Sequence, residues 1–192
     1  TERVFGLDFV ADSTIDEVAR HIADEGRDAR PEFRCVVTPN TDHIVRYDRF
    51  PAERRVAERS WMLLPDGAPI IWTSRLVGRP LARRLPGSDL FTLLWPELVA
   101  RGTPTVVVAP SDAVAAGLSA EHRHSEIVVP PMVDVHDPVA VRTLIDEIVA
   151  AVDRIDARFV FVAISMQKHH LVADHLEQRW SNAPAPPVVL LV

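Results

Sequence analysis

A single cysteine among 192 residues leaves no intrachain disulfide to be made. Cys35 lies in the apolar-flanked run Phe33 to Val37, where a buried, inert thiol is expected, as suits a reducing cytoplasm. No apolar run approaches the ~20 residues that span a bilayer, and no succession of cationic, apolar and small residues marks a signal peptide. A soluble chain is expected, one still able to visit a membrane surface. Positive charge is in deficit, with 21 Lys and Arg against 27 Asp and Glu and a formal net charge of -6. That balance argues against a broad nucleic-acid-binding face and leaves room for a local basic pocket. The Gly-x-Ser-x-Gly signature of α/β-hydrolases and the Gly-x-Gly-x-x-Gly fingerprint of dinucleotide enzymes are absent. So are Asp-x-Asp, which would chelate a metal diphosphate, and His-Glu-x-x-His. The group His169, His170, His175 and Asp174 therefore reads as a solvated helix face rather than a metal site.

What is present is an alternation of strand-like and helix-like segments. With 47% hydrophobic and 25% charged residues, the chain fits one globular domain, residues 1–192, with a sizeable core. Strands are expected at Val4 to Val10, Phe33 to Thr38, Trp61 to Leu64, Thr105 to Ala109, Glu126 to Val129, Phe159 to Ile164 and Val188 to Val192. Between them, Thr14 and Glu17 form a capping box for a helix that Gly26 can end, and Pro51 breaks a helical stretch from Asp42 to Ser60. Ala68 to Val77 is a short helix. Ser88 is placed to cap a helix towards Ala100, kinked at Pro96, and Ser111 to cap another around Val114 to Leu118. Asp137 and Pro138 begin the clearest helix, with Val141, Leu144, Ile145, Ile148, Val149 and Val152 on one stripe. A final helix runs from Lys168 to Trp180. The alternation implies βαβ units: an α/β, Rossmann-like, mostly parallel sheet with helices on both faces. Ending on Val188 to Val192, a buried strand with no polar flank, the chain is expected to continue past Val192 in a further segment.

The run Trp61-Met62-Leu63-Leu64-Pro65-Asp66-Gly67 organises the rest. A buried strand delivers Asp66 to the sheet edge, and Gly67 lets the backbone turn there, where α/β proteins place their chemistry. Asp-Gly alone also describes a plain turn. Thr38 and Asn40, at the neighbouring strand end, offer a hydroxyl and an amide to a sugar or nucleotide; Thr-Pro-Asn is equally a strand-to-helix turn with an Asn cap. His43, one helical turn on, either lines the cleft or packs. Arg83 and Arg84 precede Gly87-Ser88, whose helix start would present N–H groups and a hydroxyl to a phosphate or sugar. Asp89 in that first turn would repel phosphate, so it suits sugar hydroxyls or the helix itself. The alternative for Arg79, Arg83 and Arg84 is a solvated loop.

Val37-Thr38-Pro39-Asn40-Thr41-Asp42-His43, then Leu64-Pro65-Asp66-Gly67, then Gly78-Arg79-Pro80 and Arg83-Arg84-Leu85-Pro86-Gly87-Ser88-Asp89-Leu90, in this order and spacing, resemble the WecG/TagA/CpsF glycosyltransferase family. The likeness is close over the first half and holds by element order over the second. It implies an inverting, metal-independent transferase without a cofactor, working in cell-surface polysaccharide biosynthesis. The sugar would be an N-acetylated amino sugar or a relative, carried on a nucleoside diphosphate that is UDP by expectation. Asp66 matches the family's catalytic aspartate. The acceptor implied is a sugar on a polyprenyl diphosphate, and the location the cytoplasm, peripheral to the membrane; a homo-oligomer is compatible.

Two places depart from the family pattern. The family's glycine-rich strand end and Pro-Lys-Gln-Glu helix start appear as Ala163-Ile164-Ser165-Met166-Gln167-Lys168-His169-His170. Lys168 is kept, while His169 stands for the glutamine and His170 for the glutamate. The glycine-rich turn after Thr105 to Ala109 appears as Pro110-Ser111-Asp112. Both lie in the half that the resemblance assigns to the donor, with Lys168 and His169 as substrate contacts. These departures leave a second class open, a non-catalytic module that binds sugar nucleotides.

Overall fold

Continuous apolar runs such as Thr105 to Val108 and Phe159 to Val162 belong in strands buried on both faces, which requires helices above and below the sheet. A computed structural model shows this arrangement and describes residues 1–25, 28, 30–131 and 134–192. A hairpin of β1 (Glu2–Val4) and β2 (Leu7–Phe9) leads into α1 (Ile15–Glu25), β3 (Arg34–Val37), α2 (Thr41–Tyr47), α3 (Pro51–Arg59) and β4 (Met62–Leu63). Then come α4 (Ala68–Leu76), α5 (Gly87–Arg101), β5 (Thr105–Val108), α6 (Asp112–Glu121) and β6 (Ser125–Val128). The chain closes with α7 (Pro138–Ile155), β7 (Phe159–Val162), α8 (Met166–Trp180) and β8 (Val188–Leu191). The main sheet has the order β4-β3-β8-β7-β5-β6, and its pairings are parallel.

Side-chain alternation divides the core in two. Val37, Val108, Val162 and Leu191 point to one face, where α3, α7 and α8 cover them; Val36, Val107, Phe161 and Leu190 point to the other, under α1 and α5. The helix signals hold where the side chains reach the orphan N–H groups. Thr14 and Glu17 exchange bonds at 3.2 and 2.7 Å, and the Asp137 carboxylate accepts from Val139 and Ala140 N–H at 2.9 and 3.2 Å. Gly26, expected to end α1, lies outside the described residues. Helix α5 is continuous through Pro96.

Three expectations need correction. Val4 to Val10 is no single strand: Phe5 and Gly6 take φ of 54° and 75°, the positive values of a two-residue hairpin loop, and fold Leu7 back on Val4. The strand ahead of Asp66 pairs over two residues only, yet Leu64 N–H still reaches Val37 C=O at 2.8 Å and Asp66 N–H reaches Pro39 C=O at 3.0 Å. Those bonds carry Asp66 to the carboxyl edge. The N-cap of α5 is Pro86 rather than Ser88, because the helix starts two residues earlier, at Gly87 rather than Asp89.

The strand order also fixes a crevice. From β5 the chain turns outward through α6 to β6, and from β7 it turns the other way through α8 to β8. Adjacent strands whose connections diverge leave a cleft at their carboxyl ends, flanked here by the starts of α6 and α8.

Candidate active site

The ends of β3, β4 and β8 and the start of α5 meet around Asp66. Its half-buried carboxylate accepts a hydrogen bond from Gly87 N–H at the positive end of α5. Burial pushes its pKa above the ordinary aspartate value; the Gly87 bond and the Arg84 guanidinium oppose that shift, and Asp89 adds to it. A carboxylate whose pKa is raised is a better proton acceptor than one in open water.

Gly87 fits this spot for lack of a side chain. A Cβ there would stand 2.7 Å from Thr38 Oγ1 and 3.0 Å from Val192 Cα. The Thr38 hydroxyl in turn donates to Leu191 C=O at 2.9 Å, locking the ends of β3 and β8 together. Gly87→Ala should therefore lower stability by about 1–3 kcal/mol, the usual cost of overpacking against atoms that cannot yield. Thermal denaturation of the variant checks it; a midpoint equal to wild type would mean the strand ends are looser than drawn here.

The other expected residues fall into two groups. Arg84 and Asp89 are exposed and act on Asp66, Ser88 is exposed with its Oγ donating to Asp89 Oδ1 at 3.4 Å, and Arg83 is exposed and faces Glu17 instead. Across the sheet edge, Lys168 and His169 occupy the first turn of α8, past the end of β7. The order β4-β3-β8-β7 separates Asp66 from them by three strand intervals, about 14 Å at the usual spacing. Asn40 acts as the cap of α2: its Oδ1 accepts from Asp42 and His43 N–H at 3.0 and 3.2 Å. His43 returns a bond, its Nδ1 accepting from Asn40 N–H at 3.2 Å. Rather than forming an open wall, His43 is buried, ring to ring with Tyr47 and His170.

The histidines correct the reading of α8 as a solvated face. His170 is 2% exposed, and its Nε2 lies 3.0 Å from the Tyr47 hydroxyl. His169 is 8% exposed, held by a bond to Ile164 C=O, and its Nε2 has no hydrogen-bond partner among the described residues. Burial, reinforced by His170, depresses His169 to about 4, and burial with His170 and His169 nearby takes His43 to about 3, so both rings are neutral at pH 7. Sequence reasoning weighed His169, His170 and His175 with Asp174 as one helix face; the signal it missed is the pairing of His170 with Tyr47, the chain's one tyrosine, across 123 positions. Farther along α8, the half-exposed Asp174 is bonded to Arg59 at 2.8 Å. Beside the knot, a cavity of about 390 Å³ is lined by Arg46, Phe50, Glu53, His136, His170 and Leu171, and Asp66 is not part of it. Among the described residues, no three His, Cys, Asp or Glu side chains are grouped to share a metal ion. Nor is any helix among them long and apolar enough to cross a membrane.

Comparison with known proteins shows the family. A curated protein of Bacillus spizizenii, named N-acetylglucosaminyldiphosphoundecaprenol N-acetyl-beta-D-mannosaminyltransferase, is 32% identical over 94 residues. The match covers 49% of this chain and 36% of that relative, so this chain spans about a third of its length. The family model described as "Glycosyl transferase WecG/TagA/CpsF family" matches residues 2–189. That match covers nearly the whole chain: the chain belongs to the WecG/TagA/CpsF glycosyl transferase family.

Proposed function

We propose that the protein transfers an N-acetylated amino sugar, or a close relative, from a nucleoside diphosphate to an acceptor hydroxyl with inversion at the anomeric carbon. One observation carries the reading: a carboxylate with raised pKa stands at the carboxyl edge of a parallel sheet, held by a helix N-terminus and beside an arginine. Asp66 takes the proton from the acceptor hydroxyl as its oxygen attacks the anomeric carbon. The bond from that carbon to the phosphate oxygen breaks, and the nucleoside diphosphate leaves with the electron pair. Attack from the face opposite the leaving group inverts the centre.

The separation of Asp66 from Lys168 and His169 supports a division of labour. A nucleotide sugar laid along the edge would place its diphosphate towards the crevice between β5 and β7, near the Lys168 ammonium and the starts of α6 and α8. Its sugar would reach back towards Asp66, with Arg83, Arg84, Ser88 and Asp89 on the acceptor side and Asn40 at the rim. Thr38 then acts by holding β3 to β8. The relative's name supports a diphosphoundecaprenol-linked acceptor and an N-acetylmannosaminyl donor. Work in cell-surface polysaccharide biosynthesis, peripheral to the inner face of the membrane, belongs to the same proposal.

Isothermal titration with UDP, UDP-N-acetylglucosamine and UDP-N-acetylmannosamine, with and without divalent metal, tests the donor half. Saturable, metal-independent binding is the expected result. No heat with any uridine ligand would overturn the uridine donor, and binding without transfer to any polyprenyl-type acceptor would favour the non-catalytic module.

A further inference from the structure

Between Gly67 and Ser88 the sequence holds four arginines, Arg75, Arg79, Arg83 and Arg84, and no aspartate or glutamate, in a chain of net charge -6. This segment leaves the site at Asp66 and returns to it at Gly87. It also carries a cluster of the molecule's exposed large apolar side chains: Trp72 is 61% exposed, Leu76 86% and Val77 57%. Trp72 and Leu76 are four residues apart on α4, on one face, with Arg75 beside them and Arg79 just past the turn. The exposure is built in. Ile70, Ile71 and Ser74 bury the opposite face, Ser74 Oγ accepts from Leu81 N–H at 3.0 Å, and Ala82 N–H donates to Ala11 C=O at 3.0 Å.

We infer that this surface docks on an anionic lipid bilayer, with Trp72, Leu76 and Val77 entering the headgroup boundary and the arginines lying among the phosphates. An indole with two aliphatic neighbours in a cationic surround is the composition that partitions into a membrane interface. Each arginine adds roughly fivefold to partitioning onto an anionic surface. Arg79 lies 3.8 Å from Glu2, Arg83 faces Glu17 and Arg84 faces Asp66. Charge decides against a second copy of the chain as occupant: a two-fold contact through this patch would press arginines against arginines, with the segment from Gly67 to Ser88 supplying no carboxylate and Glu2 alone beside Arg79. The inference rests on the transferase reading for its purpose, which is to bring Asp66 to the headgroup plane where a lipid-linked acceptor presents its sugar.

Vesicle sedimentation tests the surface without using activity. The wild-type chain is expected to bind phosphatidylcholine vesicles containing one-third phosphatidylglycerol, to ignore pure phosphatidylcholine, and to release in high salt. Binding should shift Trp72 emission to the blue. Replacing both Trp72 and Leu76 by Ser should weaken binding about tenfold or more, and Arg75→Gln with Arg79→Gln about twentyfold. Val139→Ser, an exposed apolar change on α7, should leave it alone. Circular dichroism confirms that the variants fold. Failure of the wild type to bind the anionic vesicles, or variants that bind as well as wild type, would overturn the inference. So would patch variants that break up a dimer while vesicle binding is unchanged. Vesicle binding that persists where no nucleotide sugar binds supports the surface and overturns the transferase reading alone.

Discussion

Asp66→Asn should bind a nucleotide sugar as tightly as wild type and transfer it about 10²–10⁴ times more slowly, the usual worth of a positioned base. The substitution isolates the proton transfer. Asparagine has the same shape, and its amide oxygen can keep the bond from Gly87 N–H, so the strand end and the helix start stay in place. It cannot accept the acceptor's proton at any useful pH. The acid limb of kcat/KM carries a second mark of the same group. Below its pKa the carboxyl is protonated and inactive, so the rate rises with pH through that value. Because burial raises the pKa of Asp66, the limb should lie above the ~3.9 of a free aspartate. Arg84→Gln, which removes an opposing cation, should move the limb higher still. A full-rate Asp66→Asn enzyme, or a limb below the ordinary value, would remove Asp66 from the base role.

Much of this site was legible because its pieces are local. A capping pair such as Thr14 and Glu17, or Asp137 before Pro138, is decided within one helical turn, and an apolar run ending in Asp66-Gly67 marks a strand end wherever the strand lies in the sheet. The pieces that failed depend on distant partners or on one unusual φ. The Phe5-Gly6 turn hides inside an apolar stretch, since Phe5 is not a residue expected at positive φ. Nothing near Val188 says that β8 will lie between β3 and β7, or that Leu191 will receive the Thr38 hydroxyl. The histidines show the same limit. On a helical wheel, His169 and His170 look like water-facing polar residues; only the tertiary packing of α8 buries them, His170 against Tyr47 and His43.

His169 makes the sharpest case for a buried group kept for a ligand. An acceptor left without a partner in a folded interior costs roughly 1–3 kcal/mol, and His169 Nε2 is such an atom. The ring is neutral, and its other nitrogen is engaged with Ile164 C=O, so Nε2 presents a bare lone pair. That suits a hydroxyl or amide N–H of a donor sugar or nucleobase and repels a phosphate oxygen. His169→Leu should thus stabilise the free protein by about 1–3 kcal/mol while weakening nucleotide-sugar binding by about tenfold or more, the loss of one buried hydrogen bond. His169→Gln, which places the family's residue there, should keep most of the affinity. The pH dependence of stability separates the two effects. With a folded pKa of about 4 against 6.5 unfolded, the unfolded chain takes up the proton first, so stability falls as pH drops from 6.5 towards 4. The slope from this ring approaches about 1.4 kcal/mol per pH unit and should vanish in His169→Leu, leaving the share due to His43. Thermal midpoints at pH 7 and 5, set beside donor titrations of the same variants, decide the matter. A leucine variant that gains stability and binds donor unchanged would make His169 a packing residue and move donor recognition to Lys168 and the crevice between β5 and β7.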